Sequence, residues 1–125
     1  MDKKEITHIL ISVVSISVAF TYYFYGGRIT PEGVTTIFLT VGLGFILHEM
    51  GHKFTAIKMG AQAFYRMWIE GLVLMIFLVL TLRVVFAAPG ATYIYKQQIT
   101  RKENGLISLA GPVVNIVLGF IIFFI

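Results

Sequence analysis

Long apolar stretches separated by short polar ones dominate the sequence. The first apolar run extends from Ile6 to Tyr25, follows the polar segment "MDKKE" and ends in the aromatic sequence "TYYFY". A helix needs about 20 apolar residues to span a bilayer, and aromatic side chains favour the membrane interface. The run has neither the shorter core nor the small-residue cleavage site of a signal peptide, so it predicts a retained transmembrane helix.

A second apolar segment has clear helix boundaries. Thr30 is a suitable N-cap, and Pro31 fits the first helical turn. Apolar positions with helical spacing then continue from Val34 to about Met59, where Gly60 is a typical stop. The pattern therefore predicts one helix that is long enough to cross a bilayer.

The third apolar segment is too short to span. Its uncharged run, Gly71 to Leu82, has about 12 residues, a length typical of a re-entrant or interfacial element. Valine, phenylalanine and tyrosine then flank the turn sequence "APGA" at 88–91. This pattern predicts a β-hairpin with strands from Leu82 to Ala87 and from Ala91 to Lys96.

A fourth apolar segment follows a polar helix start. Thr100 and Glu103 have the spacing of a capping box, which predicts that a short helix begins there. That helix meets Pro112, which lacks a backbone donor and crowds the preceding turn. The last apolar run, Leu106 to Ile125, is long enough to span a membrane.

These segments predict an α-helical membrane protein with about three transmembrane helices and a re-entrant or interfacial segment that carries a β-hairpin. We divide the single membrane domain into a first helix and loop (1–29), a long helix (30–60), the re-entrant segment and hairpin (61–99), and a short helix followed by a transmembrane helix (100–125). Of the 125 residues, 58% are hydrophobic, which is more than ordinary soluble domains contain. The net charge of +4 is small, so we expect contact with lipid and not with nucleic acid.

Three ionisable residues interrupt the apolar second helix. His48 and His52 are four residues apart, so their rings project from one helical face and can bind one Zn²⁺. Glu49 is adjacent and can act as general base toward a water activated by the metal. Ionisable side chains are costly inside a membrane and usually functional, although interhelical hydrogen bonding is the alternative. The chain contains no cysteine, so thiolate ligands are excluded.

The sequence "LAGPVVN" places a second polar residue in an apolar helix. Asn115 follows Gly111 by four residues and precedes Gly119 by four. Such a stripe of small residues favours close helix packing, with Asn115 as one interhelical hydrogen bond. Alternatively, Asn115 approaches the metal site and hydrogen-bonds the substrate or an oxyanion. Both interpretations can hold together.

"HEMGH" on a transmembrane helix, followed by "LAGPVVN" at the start of a later one, resembles the site-2 protease family of intramembrane zinc metalloproteases. The resemblance covers about residues 34–125. It implies that His48 and His52 are zinc ligands, that Glu49 is the catalytic base and that Asn115 helps to position or polarise the substrate. The implied reaction is hydrolysis of a peptide bond in or near a transmembrane segment of a protein substrate.

The resemblance leaves the third zinc ligand unmatched. The family takes it from an aspartate on a further transmembrane helix, whereas the one aspartate here is Asp2. Two histidines and water are an incomplete zinc shell. We therefore expect this chain to be a fragment of a longer protease, unless Glu70, His8 or a neighbouring chain supplies a ligand.

Lysine and arginine positions predict the orientation of the chain. An inside N-terminus places on the cytoplasmic side Lys3, Lys4, Lys53, Lys58 and Arg66, and leaves only Arg28 in the first outer loop. The positive-inside rule favours this arrangement. We therefore expect a multi-pass integral membrane protein whose N-terminus and candidate active site lie toward the cytoplasm.

The predicted hairpin also has a predicted role. Asn115 can meet the histidine motif only if the segment from Ile69 to Lys96 enters and returns, or lies along the surface. An exposed strand that carries Tyr93 and Tyr95 could then bind unwound substrate by β-augmentation. The alternative is a packed hairpin that plugs the site, since exposed strand edges are normally protected.

Two other functions are compatible with the pattern. His8 and His48 could together bind haem at a similar membrane depth, or the polar residues could serve packing in a non-catalytic assembly protein. His48 and His52 cannot bracket one haem iron, because they lie on the same helical face. The sequence makes no prediction of oligomeric state.

Overall fold

The computed structural model describes residues 2–125 and is mostly helical. The helices are α1 Lys3–Phe24, α2 Pro31–Lys58, α3 Ile69–Thr81 and α4 Arg101–Phe123, and the strands are β1 Gln62–Met67 and β2 Gly90–Tyr95. Helices α1, α2 and α4 are each long and apolar enough to cross a membrane. The prediction of about three helices of spanning length is therefore confirmed for the part of the chain described.

The ends of α2 follow the local sequence signals. The Thr30 side chain accepts a hydrogen bond from the Gly33 amide at 3.0 Å, and Pro31 occupies the first turn. Gly60 follows the last turn with φ +84°, a conformation that glycine adopts without steric cost. A π-helical turn, Phe38–Gly42, lies within the helix, where Gly42 packs against α1.

Helix α4 begins as predicted but does not break at the proline. Thr100 and Glu103 form the reciprocal capping box, with both hydrogen bonds at 3.0 Å. The expectation of a short helix followed by a separate transmembrane helix is wrong, because α4 runs continuously through Pro112. Apolar helices often tolerate proline, because neighbouring groups or local adjustments of the helix can satisfy the freed backbone carbonyl.

The two strands form an antiparallel pair that differs from the predicted hairpin. Strand β1 pairs with β2 in a register from Gln62 opposite Tyr95 to Met67 opposite Gly90. The predicted strand from Leu82 to Ala87 is absent from the structure, so that half of the hairpin prediction is wrong. The turn sequence instead closes a longer loop, because the Trp68 amide donates to the Pro89 carbonyl at 2.8 Å.

The segment between the two strands leaves the sheet and returns to it. Helix α3 packs along α1 through the cluster of Ile16, Ala19, Leu72, Met75 and Val79. Arg83, with φ +54°, reverses the chain beside Tyr22 and Gly26 at the far end of α1. Residues 84–89, the return segment, then lead back to β2 without regular structure. The chain thus returns as expected, while entry of this segment into a membrane stays a prediction.

Polar contacts attach the sheet to α1. The Tyr65 hydroxyl donates to Ser12 Oγ at 2.8 Å, and the Met67 amide donates to His8 Nδ1 at 3.0 Å. Burial raises the pKa of Tyr65 to about 12, so its hydroxyl stays protonated and remains a donor to Ser12. These bonds fix the sheet beside the end of α2 that carries the histidine motif.

Candidate active site

The imidazole rings of His48 and His52 lie next to each other on the side of α2 that packs against α4. Their Nε2 atoms are 3.1 Å apart, as expected for side chains four residues apart on one helical face. His52 Nδ1 lies 2.7 Å from the Ile107 carbonyl oxygen of α4. A carbonyl only accepts, so Nδ1 carries the proton and Nε2 keeps a free lone pair. The contact therefore orients His52 as metal-binding histidines are commonly oriented.

The histidine pair fits one zinc ion. Zinc–nitrogen bonds of 2.0–2.1 Å in tetrahedral geometry place two ligand nitrogens about 3.3 Å apart, close to the separation seen here. Gly111 of α4 faces the pair, and a Cβ atom there would lie 2.5 Å from His52 Nε2 and 2.8 Å from His48 Nε2. Only glycine leaves the space in front of both nitrogens open.

The structure brings no third metal ligand to the pair. Residues 2–125 contain no group of three or more histidine, cysteine, aspartate or glutamate side chains that could hold a metal ion. Neither Glu70 nor His8 therefore completes the site. His8 Nδ1 instead accepts the hydrogen bond from the Met67 amide, and His48 pairs with His52, so the two histidines of the haem interpretation are engaged separately.

Glu49 is held by strand β2. Its side chain is only 8% exposed, and its Oε2 accepts from the Thr92 amide at 3.1 Å and from the Thr92 hydroxyl at 2.7 Å. Its Oε1 makes no hydrogen bond to any of residues 2–125. One carboxylate oxygen is therefore fixed and the other is left to accept a proton.

An open cleft of about 560 Å³ is lined by three of the predicted site residues. His48 and Glu49 lie on one wall, and Asn115 of α4 lines the same cleft. Ala87 and Pro89 of the return segment form another part of its lining. A smaller hollow of about 250 Å³ on the other side of Glu49 contains His52 and Thr92. The structure thus brings Asn115 to the motif, although the two lie far apart in sequence.

The two tyrosines predicted to bind substrate lie elsewhere on the sheet. Tyr93 and Tyr95 alternate with Thr92 along β2, and their rings pack beside Phe64 with centroids 6.4 and 5.3 Å away. Both are about half exposed, on the face opposite Thr92. Substrate binding by their side chains remains untested, and it would not place substrate directly against Glu49.

Thr92 and the Ile107 carbonyl belong to the candidate site but were not predicted from the sequence. Period-two alternation does place Thr92 on the face opposite the tyrosines, and this signal was available. No sequence signal identifies which backbone carbonyl meets His52, because that depends on how α4 is placed against α2.

Known proteins provide one relationship. Over 126 aligned residues, which include 98% of this chain, the sequence is 41% identical to a protein of Methanocaldococcus jannaschii that carries the name putative zinc metalloprotease. The chain spans 62% of the length of that relative. No family model matches the chain, and no solved structure matches it at a significant level. Nearly the whole chain is therefore similar to part of a protein named for zinc-dependent proteolysis.

Proposed function

We propose that this chain forms the catalytic core of an intramembrane zinc metalloprotease of the site-2 type. Its reaction is hydrolysis of peptide bonds in or near transmembrane segments of membrane proteins. The observation that carries the proposal is the oriented His48–His52 pair on a helix of spanning length, where His48 shares one cleft with Glu49 and Asn115. The named relative supports a metalloprotease in general.

Each side chain has a distinct role in this proposal. His48 and His52 would hold zinc through their Nε2 atoms, with the Ile107 carbonyl orienting His52. Bound zinc would supply Lewis-acid chemistry for attack of water on a peptide carbonyl. Glu49 accepts the proton through Oε1, while Thr92 holds Oε2 in place. Asn115, which lines the same cleft, would donate from its amide to a substrate carbonyl.

The third ligand remains a prediction. Residues 2–125 place no further carboxylate or imidazole beside the pair, so His48 and His52 are taken as two of the zinc ligands. The resemblance assigns the third position to an aspartate from a further helix. Zinc affinity measured with and without such a helix tests this assignment.

The substrate is proposed to bind as an extended peptide along the cleft. Strand β2 uses one edge to pair with β1, and the Thr92 amide on the other edge points to Glu49. Substrate that pairs beside this edge would lie next to the base, which is the β-augmentation that the sequence allowed as one of two alternatives. The contact between Thr92 and Glu49 equally supports the alternative, in which the sheet packs tightly on the site.

A comparison of three substitutions tests the proposed function. Glu49→Gln should retain zinc but lower the cleavage rate by about 10²- to 10⁴-fold, because it removes the base alone. His48→Ala and His52→Ala should lose both zinc and cleavage. Metal analysis and cleavage of a single-span model protein in liposomes provide the two measurements.

Glu32 provides the matched control, because it is an exposed glutamate in the first turn of the same helix. Glu32→Gln should leave both measurements unchanged. Normal cleavage by Glu49→Gln would contradict the proposal. Normal cleavage combined with reduced stability in that variant would indicate that Glu49 serves packing instead.

A further inference from the structure

Lys53 lies where a cation could disable the proposed base. It follows Glu49 by four residues on α2, and glutamate four residues before lysine is the favoured orientation for an ion pair on a helix. Such a pair would place an ammonium on the carboxylate that must accept a proton. The sequence by itself therefore favours a contact that would oppose the proposed chemistry.

The structure gives Lys53 a different partner. Its Nζ atom lies 2.5 and 2.6 Å from the two carboxylate oxygens of Glu5 on α1. Lys53 is 6% exposed and Glu5 is 2% exposed, so both charges are buried. The Tyr65 amide also donates to Glu5 Oε1 at 3.1 Å, which fixes the carboxylate in place.

Because Lys53 is buried, its ammonium group would need another partner if Glu5 lost its charge. A buried ammonium that lacks a partner costs several kcal/mol, so loss of the Glu5 charge would favour a second buried carboxylate as the partner of Lys53. Glu49 is the carboxylate one helical turn away, and its Oε1 makes no other hydrogen bond within residues 2–125. Asp2 is also near Lys53 but is fully exposed, so Glu49 is the buried carboxylate that could replace Glu5.

We propose that Glu5 is a positioning residue that holds the Lys53 ammonium away from Glu49 and so keeps Glu49 Oε1 available as the base. The role assigned to Glu49 rests on the proposed function. Glu5 touches neither substrate nor metal, and it acts through Lys53. A residue of the first helix thereby controls the electrostatics of a site built on α2, α4 and β2.

A stability cycle tests the alternative pairing without any need for activity. Glu5→Gln keeps an acceptor for the Tyr65 amide but removes the charge, so Lys53 should move to Glu49 and the protein should fold. The combination of Glu5→Gln with Glu49→Gln should lower the melting temperature by more than the two single shifts added together. Adding Lys53→Met should remove this excess, because no buried cation then remains.

Kinetics test the effect on the base. Glu5→Gln should lower kcat by about 10²-fold with KM and zinc content unchanged, which is the cost of a blocked general base. Glu5→Gln combined with Lys53→Met should restore kcat. Glu103→Gln is the control for loss of an ion pair as such, because it alters the Lys96–Glu103 contact at the start of α4.

Three results would overturn the proposal. Additive shifts in the stability cycle would show that Lys53 does not turn to Glu49. A double variant as slow as Glu5→Gln would show that the charge of Lys53 is not the cause. Failure of Glu5→Gln to fold would show that Glu49 is no alternative partner. If wild-type protein that includes the further helix cleaves no substrate, the proposed function fails, whereas the stability cycle still decides the pairing.

Discussion

At the scale of single residues, the candidate site depends on two glycines as well as on its ionisable side chains. His48 and His52 are the candidate metal donors, and glycine at 111 avoids a clash with both rings and leaves the space that a bound metal ion would need. Gly51 has a related role, because a Cβ atom there would lie 2.9 Å from the Ala110 carbonyl oxygen. Both glycines let α2 and α4 approach closely enough for the Ile107 carbonyl to reach His52.

Gly111→Ala should therefore weaken zinc binding by about 10- to 100-fold, because the new methyl group must displace at least one imidazole. Isothermal titration of the purified chain with zinc measures the effect. Gly119→Ala on the same helix is the matched control, since a Cβ atom there meets nothing within 4 Å. Equal zinc affinity in the two variants would show that the histidine pair does not bind metal in the arrangement seen here.

At the scale of elements, the site is walled by a segment that has little structure of its own. The return segment lines the cleft through Ala87 and Pro89. It also contacts the start of α3. A Cβ atom on Gly71 would lie 2.1 Å from the Ala88 carbonyl oxygen and 2.4 Å from the Trp68 ring. The contact between α3 and the return segment therefore requires glycine at position 71.

Gly71→Ala should destabilise the protein by about 1–3 kcal/mol, the usual cost of overpacking, because backbone and an indole ring must both move. Thermal unfolding in detergent measures this loss. The control is Gly105→Ala in α4, where the added methyl group meets nothing within 4 Å. An unchanged melting temperature in Gly71→Ala would show that the return segment is not packed against α3.

At the scale of the whole molecule, the sheet determines which ends of the helices lie together. The Trp68–Pro89 hydrogen bond closes the segment between the strands, so α4 begins at the same end of the molecule as α2 finishes. Lys96 strengthens this arrangement, because its Nζ donates to the Met59 carbonyl at 2.9 Å as well as to Glu103. This closure is why Asn115 meets the histidine motif.

Cysteine labelling in membranes tests the resulting topology, and the chain has no native cysteine to interfere. Gln97→Cys, in the exposed loop after β2, should react with an impermeant maleimide only from the cytoplasmic side. Arg28→Cys, in the exposed loop after α1, should react only from the opposite side. Labelling of both positions from the same side would contradict the proposed insertion.

The sequence by itself determined the elements whose signals are local. Caps at Thr30 and Thr100, the stop at Gly60 and the common face of His48 and His52 depend on residues within one or two turns. Backbone geometry and side-chain spacing fix such features wherever the helix packs. The lengths of the apolar helices α1, α2 and α4 could likewise be predicted, because length and composition decide whether a helix can span a membrane.

Only the tertiary structure decided which groups face one another. The hairpin prediction was wrong in its first strand, because local alternation cannot distinguish a neighbouring strand from β1, which pairs across the intervening α3. Thr92 reaches Glu49 from 43 residues away, Glu5 reaches Lys53 from 48, and the Ile107 carbonyl reaches His52 from 55. These contacts depend on how helices and sheet pack, so the sequence indicated the candidate site residues while the packing decided which partners hold them.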